Sequence, residues 1–104
     1  MTERVSALQR MLQKNPNDAR AHFGLAAEYE KQREWQKVVE HLRTYLGLMD
    51  DQGNAWGRLG HAFSQLGDRP EAIEAYRRGI VQARQYGHPS MAMEFEETVE
   101  QLSE

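Results

Sequence analysis

Residues 56–80, which read WGRLGHAFSQLGDRPEAIEAYRRGI, decide the fold of this chain. On either side of Gly67, apolar and small residues recur at the spacing of one helical face. The two sets are Trp56, Leu59, Gly60 and Phe63, then Ala72, Ile73, Tyr76 and Ile80. Between them, Gly67 suits a left-handed turn, Asp68 a helix cap and Pro70 a first helical turn. The stretch therefore predicts two helices joined by a tight turn, with Trp56 in a buried slot between them.

The same pattern recurs at an offset of 34 residues without any insertion. At this offset Leu25 pairs with Leu59, and Tyr29 pairs with Phe63. Three series extend the register towards the start of the chain: Val5, Val39 and Ile73; Leu8, Leu42 and Tyr76; Leu12, Leu46 and Ile80. Because a fixed period of a few tens of residues marks a repeat architecture, we predict stacked helical repeats.

The repeats organise the chain as one all-α domain, residues 1–104, with about six helices. We expect a leading helix at 2–14, a first repeat at 19–52, a second repeat at 53–86 and a capping helix at 89–103. Each full repeat consists of two helices. The leading helix follows the pattern of a second helix, so three pairs are expected in all.

The last helix departs from the repeat pattern. Continuing the register would place Ser90, Glu94 and Glu97 at positions that are meant to be buried. Its own apolar stripe is Met91, Phe95, Thr98 and Leu102 with Val99 alongside, and its outward residues are Glu94, Glu96, Glu97, Glu100 and Glu104. Because the terminal element of a repeat stack needs one polar face, we interpret this helix as a cap.

The second repeat resembles the tetratricopeptide repeat family closely. Trp56, Leu59, Gly60, Phe63, Ala72 and Tyr76 stand where that family has its recurring Trp, Leu, Gly, Tyr, Ala and Phe. In the looser first repeat, His22, Ala26 and Val38 take the positions of the Trp, the Gly and the Ala. The resemblance covers roughly residues 1–86. It implies a short right-handed solenoid of antiparallel helix pairs.

Composition and motifs argue against several classes of function. The formal net charge of −3 does not suit a nucleic-acid surface, which needs a clearly basic face. The chain has no cysteine, and its four histidines lack a metal-ligand spacing. It also has no glycine-rich phosphate loop and no nucleophile motif. We therefore expect no enzyme activity, no cofactor and no bound metal. Because no apolar run suits a signal peptide or a membrane span, we expect no membrane partner and a cytoplasmic location.

The resemblance implies that the chain binds another polypeptide. In this family, the first helices of successive repeats line a concave groove that holds a peptide or a helix. Turning about 100° from the buried face of each first helix selects the groove residues. They are Arg20, Phe23, Ala27 and Glu30 in the first repeat, and Asn54, Gly57, Arg58, His61 and Ser64 in the second.

We expect Phe23 to be the anchor of this groove. Phe23 is an aromatic residue outside the core stripe, and Gly57 occupies the position 34 residues later, where it would leave a gap for a ligand side chain. The alternative is that Phe23 packs on the leading helix or on the stem of Arg20.

The predicted function is thus a protein-interaction module with an adaptor, scaffold or co-chaperone-like role. Family members that clamp a terminal carboxylate have Lys and Asn where this chain has Phe23 and Ala27, so Arg58 alone does not make such a clamp. The alternative function is homo-oligomeric assembly, for instance a homodimer, through apolar stripes at the exposed ends of the repeat stack.

Overall fold

The computed structural model describes residues 2–104, and these residues form six α-helices. The helices are α1 (Glu3–Lys14), α2 (Ala19–Lys31), α3 (Trp35–Leu48), α4 (Asn54–Gln65), α5 (Arg69–Gln85) and α6 (Pro89–Leu102). No strand occurs between residues 2 and 104, so the all-α fold class is confirmed. Short turns join α2 to α3 and α4 to α5, and each of these packed pairs is therefore antiparallel.

The chain divides into two compact units. One unit contains α1, α2 and α3 and ends at Asp50, and the other begins at Asp51 and contains α4, α5 and α6. Within residues 2–104, no helix is both long enough and apolar enough to cross a membrane.

Side-chain caps explain where several helices begin. The Asp18 carboxylate accepts a hydrogen bond of 3.1 Å from the backbone N–H of Ala21, and the Asp68 carboxylate accepts one of 3.3 Å from Glu71. Such bonds satisfy N–H groups that have no partner within the helix. Gly67 has φ +79°, which confirms the predicted left-handed turn before α5.

The start of α4 depends on a carboxylate that lies before the helix. The buried Asp51 accepts hydrogen bonds of 2.8 Å from Gly53 N–H and 2.9 Å from Ala55 N–H. Its own carbonyl accepts a bond of 2.7 Å from the Gln82 side chain of α5. Asp51 therefore both caps α4 and ties the preceding loop to α5.

In the first unit, the core forms where α2 packs between α1 and α3. The buried apolar side chains are Val5 and Leu8 of α1, Ala21, Leu25, Ala26 and Tyr29 of α2, and Val38, Val39 and Leu42 of α3. Gly24 lets α1 approach α2, because a Cβ atom at this position would lie only 3.1 Å from Leu8 Cδ2. A buried carboxylate, Glu28, is paired with Arg4 of α1 and with Lys31, each at 3.1 Å.

The core of the second unit depends on close packing of α4 against α5. A Cβ atom on Gly60 would lie 2.7 Å from Cδ2 of Tyr76, so the absence of a side chain allows the Tyr76 ring to contact the α4 backbone. Ala72 beside it is fully buried. Gly60 therefore permits the close approach of α4 and α5.

α6 extends this core along α5. Ile80, Ala83 and Ala92 form a buried cluster, and Met91, Phe95 and Val99 pack against it. The five glutamates that were predicted to face outward are all exposed. The predicted apolar stripe of α6 is therefore correct, although its most buried member, Ala92, was not part of the prediction.

The prediction of a buried Trp56 is wrong. The Trp56 side chain is half-buried, and the guanidinium of Arg78 lies over its ring at 5.4 Å from the centroid. A cation–π contact of this kind covers part of an aromatic ring that neighbouring apolar side chains do not enclose. Arg78 of α5 thus covers part of the Trp56 ring, which the sequence pattern predicted to be covered by core side chains.

Candidate functional site

The predicted binding residues of the first repeat all lie on α2. Arg20 is exposed, whereas Phe23, Ala27 and Glu30 are half-buried. Residues three and four apart share one side of a helix, so these side chains form a single face that differs from the buried one.

Phe23 packs on Tyr45 of α3, a residue that the sequence analysis did not single out. The two ring centroids are 4.9 Å apart, and the ring planes are inclined by 50°. Aromatic pairs at this separation attract each other beyond the effect of area burial. Because both rings are only half-buried, the pair presents apolar surface at the edge of the α2 face.

An open pocket of about 450 Å³ lies beside this aromatic pair. Its lining residues are Asn15, Asn17, Asp18, Ala19, Arg20, Tyr45 and Met49. The Asp18 carboxylate caps α2, whereas Arg20 has no ion-pair partner within residues 2–104. Arg20 and the asparagines offer polar contacts, and Tyr45 and Met49 offer apolar ones. The pocket can therefore hold an apolar side chain of a bound segment, next to a carboxylate or carbonyl group of the same segment.

The predicted binding residues of the second repeat lie on or next to the exposed side of α4. Asn54 and His61 are exposed, and Arg58 and Ser64 are half-buried. Gly57 differs from the other four residues because it is buried.

The gap expected beside Gly57 is filled by the chain itself. The ring of Phe95 of α6 lies so close to Gly57 that a Cβ atom on Gly57 would overlap it. The same ring approaches Gly79 of α5, where a Cβ atom would lie 2.9 Å from Phe95 Cε2. Gly57 therefore makes room for α6, and the prediction of a ligand pocket at this glycine is wrong. The period did not reveal this contact, because Phe95 lies where the repeat pattern fails.

Two histidines meet inside the first unit. His22 Nδ1 lies 3.0 Å from His41 Nδ1, and His22 Nε2 lies 2.8 Å from the carbonyl oxygen of Pro16. Since a carbonyl can only accept, His22 donates from Nε2, and its neutral form then accepts at Nδ1 from His41. Burial lowers the pKa of His41, and His22 and Lys37 lower it further against the opposing effect of Glu40.

These histidines join α2 to α3 through hydrogen bonds and ring packing. The His41 ring stacks on Tyr29 at 5.7 Å with an inclination of 18°. Within residues 2–104, no group of three or more His, Asp or Glu side chains is arranged to hold a metal ion. The pair is accordingly interpreted as part of the packing between the two helices.

The sequence of the chain matches the tetratricopeptide repeat over residues 1–83. The chain belongs to the tetratricopeptide repeat family. In this protein the repeat consists of helix pairs such as α4 and α5, in which Gly60 packs on Tyr76. Proteins of this family are protein-interaction modules, and the predicted family and general role are thus confirmed.

Relatives with curated names include other tetratricopeptide repeat proteins. A TPR repeat-containing protein of Pseudomonas aeruginosa is 28% identical over 83 residues, which cover 80% of this chain and 79% of that protein. The small glutamine-rich tetratricopeptide repeat-containing protein 2 of Mycosarcoma maydis is 26% identical over 76 residues, covering 73% of this chain and 22% of that protein. The general transcriptional corepressor trfA of Dictyostelium discoideum is 22% identical over 76 residues, covering 73% of this chain and 6% of that protein. The chain spans only a small part of the last two relatives.

Solved structures share the fold. The solution structure of a Bordetella parapertussis protein has a TM-score of 0.79 at 25% identity, covering 99% of this chain and 90% of that one. The N-terminal domain of stress-induced protein-1 from C. elegans has a TM-score of 0.77 at 17% identity, covering 93% of this chain and 76% of that one. These likenesses confirm the fold of the tetratricopeptide repeat chain.

Proposed function

We propose that this tetratricopeptide repeat protein binds a peptide or helix of a partner protein on the face of α2 in the first unit. The exposed residues of α4 are a separate candidate surface of the second unit. The protein acts as an adaptor or scaffold without catalysis. The observation that carries the proposal is the open pocket lined by Arg20, Tyr45 and Met49, next to the Phe23 ring.

The size and chemistry of the pocket support this function. Its volume of about 450 Å³ lies within the range of sites that bind small molecules or single side chains. Binding energy in protein interfaces concentrates at aromatic and Arg residues. Phe23, Tyr45 and Arg20 provide such residues on one side of the unit, and the exposed Met49 adds an adaptable apolar contact.

The side chains around the pocket indicate which residues the bound segment of the partner should carry. An apolar side chain of the partner would contact Tyr45 and Met49, and a carboxylate or carbonyl next to it would accept hydrogen bonds from Arg20. The guanidinium can donate two parallel bonds to a carboxylate. We therefore expect the bound sequence to combine an apolar anchor with an adjacent acidic residue.

Selection from a displayed peptide library tests the proposal. Peptides enriched on the wild type are synthesised, and their affinity is measured by fluorescence anisotropy for the wild type and for an Arg20→Glu, Met49→Glu variant. Both residues are exposed, so the variant should fold as judged by circular dichroism. A matched control, Arg77→Glu with Val81→Glu, makes the same changes at exposed positions of α5.

We expect affinity to fall about tenfold or more in the pocket variant and to stay unchanged in the control. Equal affinity of the pocket variant and the wild type would contradict the α2 site, as would a library that yields no enriched peptide. The cytoplasmic location stays a prediction.

A further inference from the structure

α6 exposes the side that the first helices of both full repeats bury. At an offset of 34 residues, Leu59, Gly60 and Phe63 of α4 correspond to Met93, Glu94 and Glu97 of α6. The three residues of α4 are buried, and Gly60 packs on α5. Their counterparts in α6 are exposed, and Met93 is 61% accessible to solvent. Within residues 2–104, α6 is therefore a first helix whose second-helix side is uncovered.

α1 also exposes a side that is buried in the equivalent helix α5. At an offset of 68 residues, Arg4 and Ala7 of α1 correspond to Ala72 and Ala75 of α5, both of which are buried. In α1, Arg4 and Ala7 are exposed. A shallow surface pocket of about 280 Å³ is lined by Ala7, Arg10, Met11 and Lys14 on this side. α1 is thus a second helix whose first-helix side is uncovered within the described residues.

The two uncovered sides carry opposite charges. The side of α1 presents Arg4, Arg10 and Lys14 around Ala7 and Met11, with Glu3 as its acidic member. The side of α6 presents Glu94, Glu97 and Glu100 around Met93. Arg4 forms an ion pair with Glu28. Among residues 2–104, no ion-pair partner lies near Arg10, Lys14 or the three glutamates. Each side therefore has an apolar centre and a rim of one dominant charge.

We propose that α1 of one copy packs on α6 of a second copy, in the place that a second helix takes on the first helix of each full repeat. Charge complementarity selects this pairing, because α1 against α1 or α6 against α6 would bring like charges together. The contact joins two different surfaces, so a single α1–α6 contact uses α1 of one copy and α6 of the other.

A charge-exchange experiment tests the pairing. The mass of the wild type is measured by sedimentation velocity over a range of concentrations at low and high salt. Two variants are compared with it: Arg10→Glu with Lys14→Glu, and Glu94→Lys with Glu97→Lys. All four positions are exposed, so the substitutions should leave the helices folded. A control variant, Arg33→Glu with Arg77→Glu, has the same net charge as the first variant but leaves the α1 side intact, and both of its positions are exposed.

The wild type should rise above its 12.1 kDa monomer mass with concentration, and salt should weaken the association. Each charge-reversed variant alone should associate about tenfold more weakly or not at all, because like charges then face each other. An equal mixture of the two variants should associate again, and the control should behave like the wild type.

Other outcomes overturn the proposal. A wild type that stays monomeric at every concentration would show that α1 and α6 do not pair between copies. Association that survives both charge reversals, or that is lost in the control variant, would assign self-assembly to other surfaces. Failure of the mixed variants to associate would also contradict the pairing, because the mixture contains one variant with an intact α6 side and one with an intact α1 side.

Discussion

The backbone of Gly57 and the ring of Phe95 are in direct contact, and this contact fixes α6 against α4. Because Gly79 of α5 meets the same ring, one aromatic side chain of α6 contacts both of the other helices of the second unit. Tyr76 also packs on it, with ring centroids 5.5 Å apart. The last helix therefore packs on α4 and α5 partly because two glycines leave room for one phenylalanine ring.

Removing this ring should destabilise the second unit. We expect Phe95→Ala to lower the free energy of unfolding by about 3 kcal/mol, the lower end for a large aromatic residue, because Phe95 is half-buried. Gly57→Ala should also destabilise the wild type, but it should cost less in the Phe95→Ala background, where the ring is absent. Urea unfolding of the four proteins measures this coupling. Additive losses would contradict the direct contact.

A side chain at Gly60 should disturb the packing of α4 on α5. We expect Gly60→Leu to cost about 3 kcal/mol or more, because its side chain overlaps the Tyr76 ring and α4 would have to move. Gly47→Ala provides a matched control, since a Cβ atom there meets nothing within 4 Å and helical alanine is favoured by about 0.5–1 kcal/mol. Thermal unfolding of both variants measures the difference. A Gly60→Leu protein as stable as the wild type would rule out the observed approach of the helices.

His41 should make stability depend on pH. The pKa of His41 in the folded chain lies below its usual value of 6.5, so the unfolded chain binds more protons near that pH. Stability should therefore decrease as the pH falls through about 6.5 and level off below the folded pKa.

The test is the melting temperature of the wild type and of His41→Gln between pH 8 and pH 5. The groups near His41 are His22, Lys37, Glu40 and the stacked Tyr29, all of which the variant retains. The pH dependence should be smaller in the variant. An identical slope in both proteins would assign the effect to other groups.

The pairing of Glu28 should contribute modestly to the first unit. Its side chain is 9% exposed, whereas the Arg4 and Lys31 side chains that contact it are 63% and 74% exposed. If Glu28 is replaced by Gln, both cations can return to water, so the expected loss is about 1 kcal/mol. Urea unfolding at low and high salt measures it. A loss of about 4 kcal/mol would indicate the removal of one partner from a fully buried pair.

Because the Phe23 ring is partly exposed, replacing it should reduce the stability of the fold only slightly. We expect Phe23→Ala to lower stability by about 1 kcal/mol, because the ring contacts Tyr45 but is only half-buried. The same variant should weaken binding of a selected peptide measured by fluorescence anisotropy. A loss above about 3 kcal/mol would instead place Phe23 in the core.

The 34-residue period was sufficient to predict the helices and much of the core. Leu25 and Leu59 are both buried, because equivalent positions in the two repeats meet the same kind of neighbour. The period did not predict the contact of Phe95 with Gly57, because α6 leaves the register. It also placed Trp56 too deep, because exposure there depends on Arg78, whose position above the ring is a property of side-chain packing.

Single-sequence reasoning about the binding face had a similar limit. Helical spacing placed Arg20 and Phe23 on one face of α2, as the structure has them. It did not predict Tyr45, which comes from α3 and completes the apolar edge of that face. The repeat boundaries at 19–52 and 53–86 stay predictions, as does the binding role of the eight selected residues other than Gly57.

The order of helix packing has a consequence for the speed of folding. Within each unit, most of the packing joins helices that are consecutive in the chain: α1 with α2 and α2 with α3, then α4 with α5 and α5 with α6. Most contacts therefore close only a short loop, and proteins with such local contacts fold in microseconds to milliseconds. We expect refolding after a denaturant jump to take about a millisecond or less, since the consecutive pairs can form before the longer contact of Phe95 with Gly57.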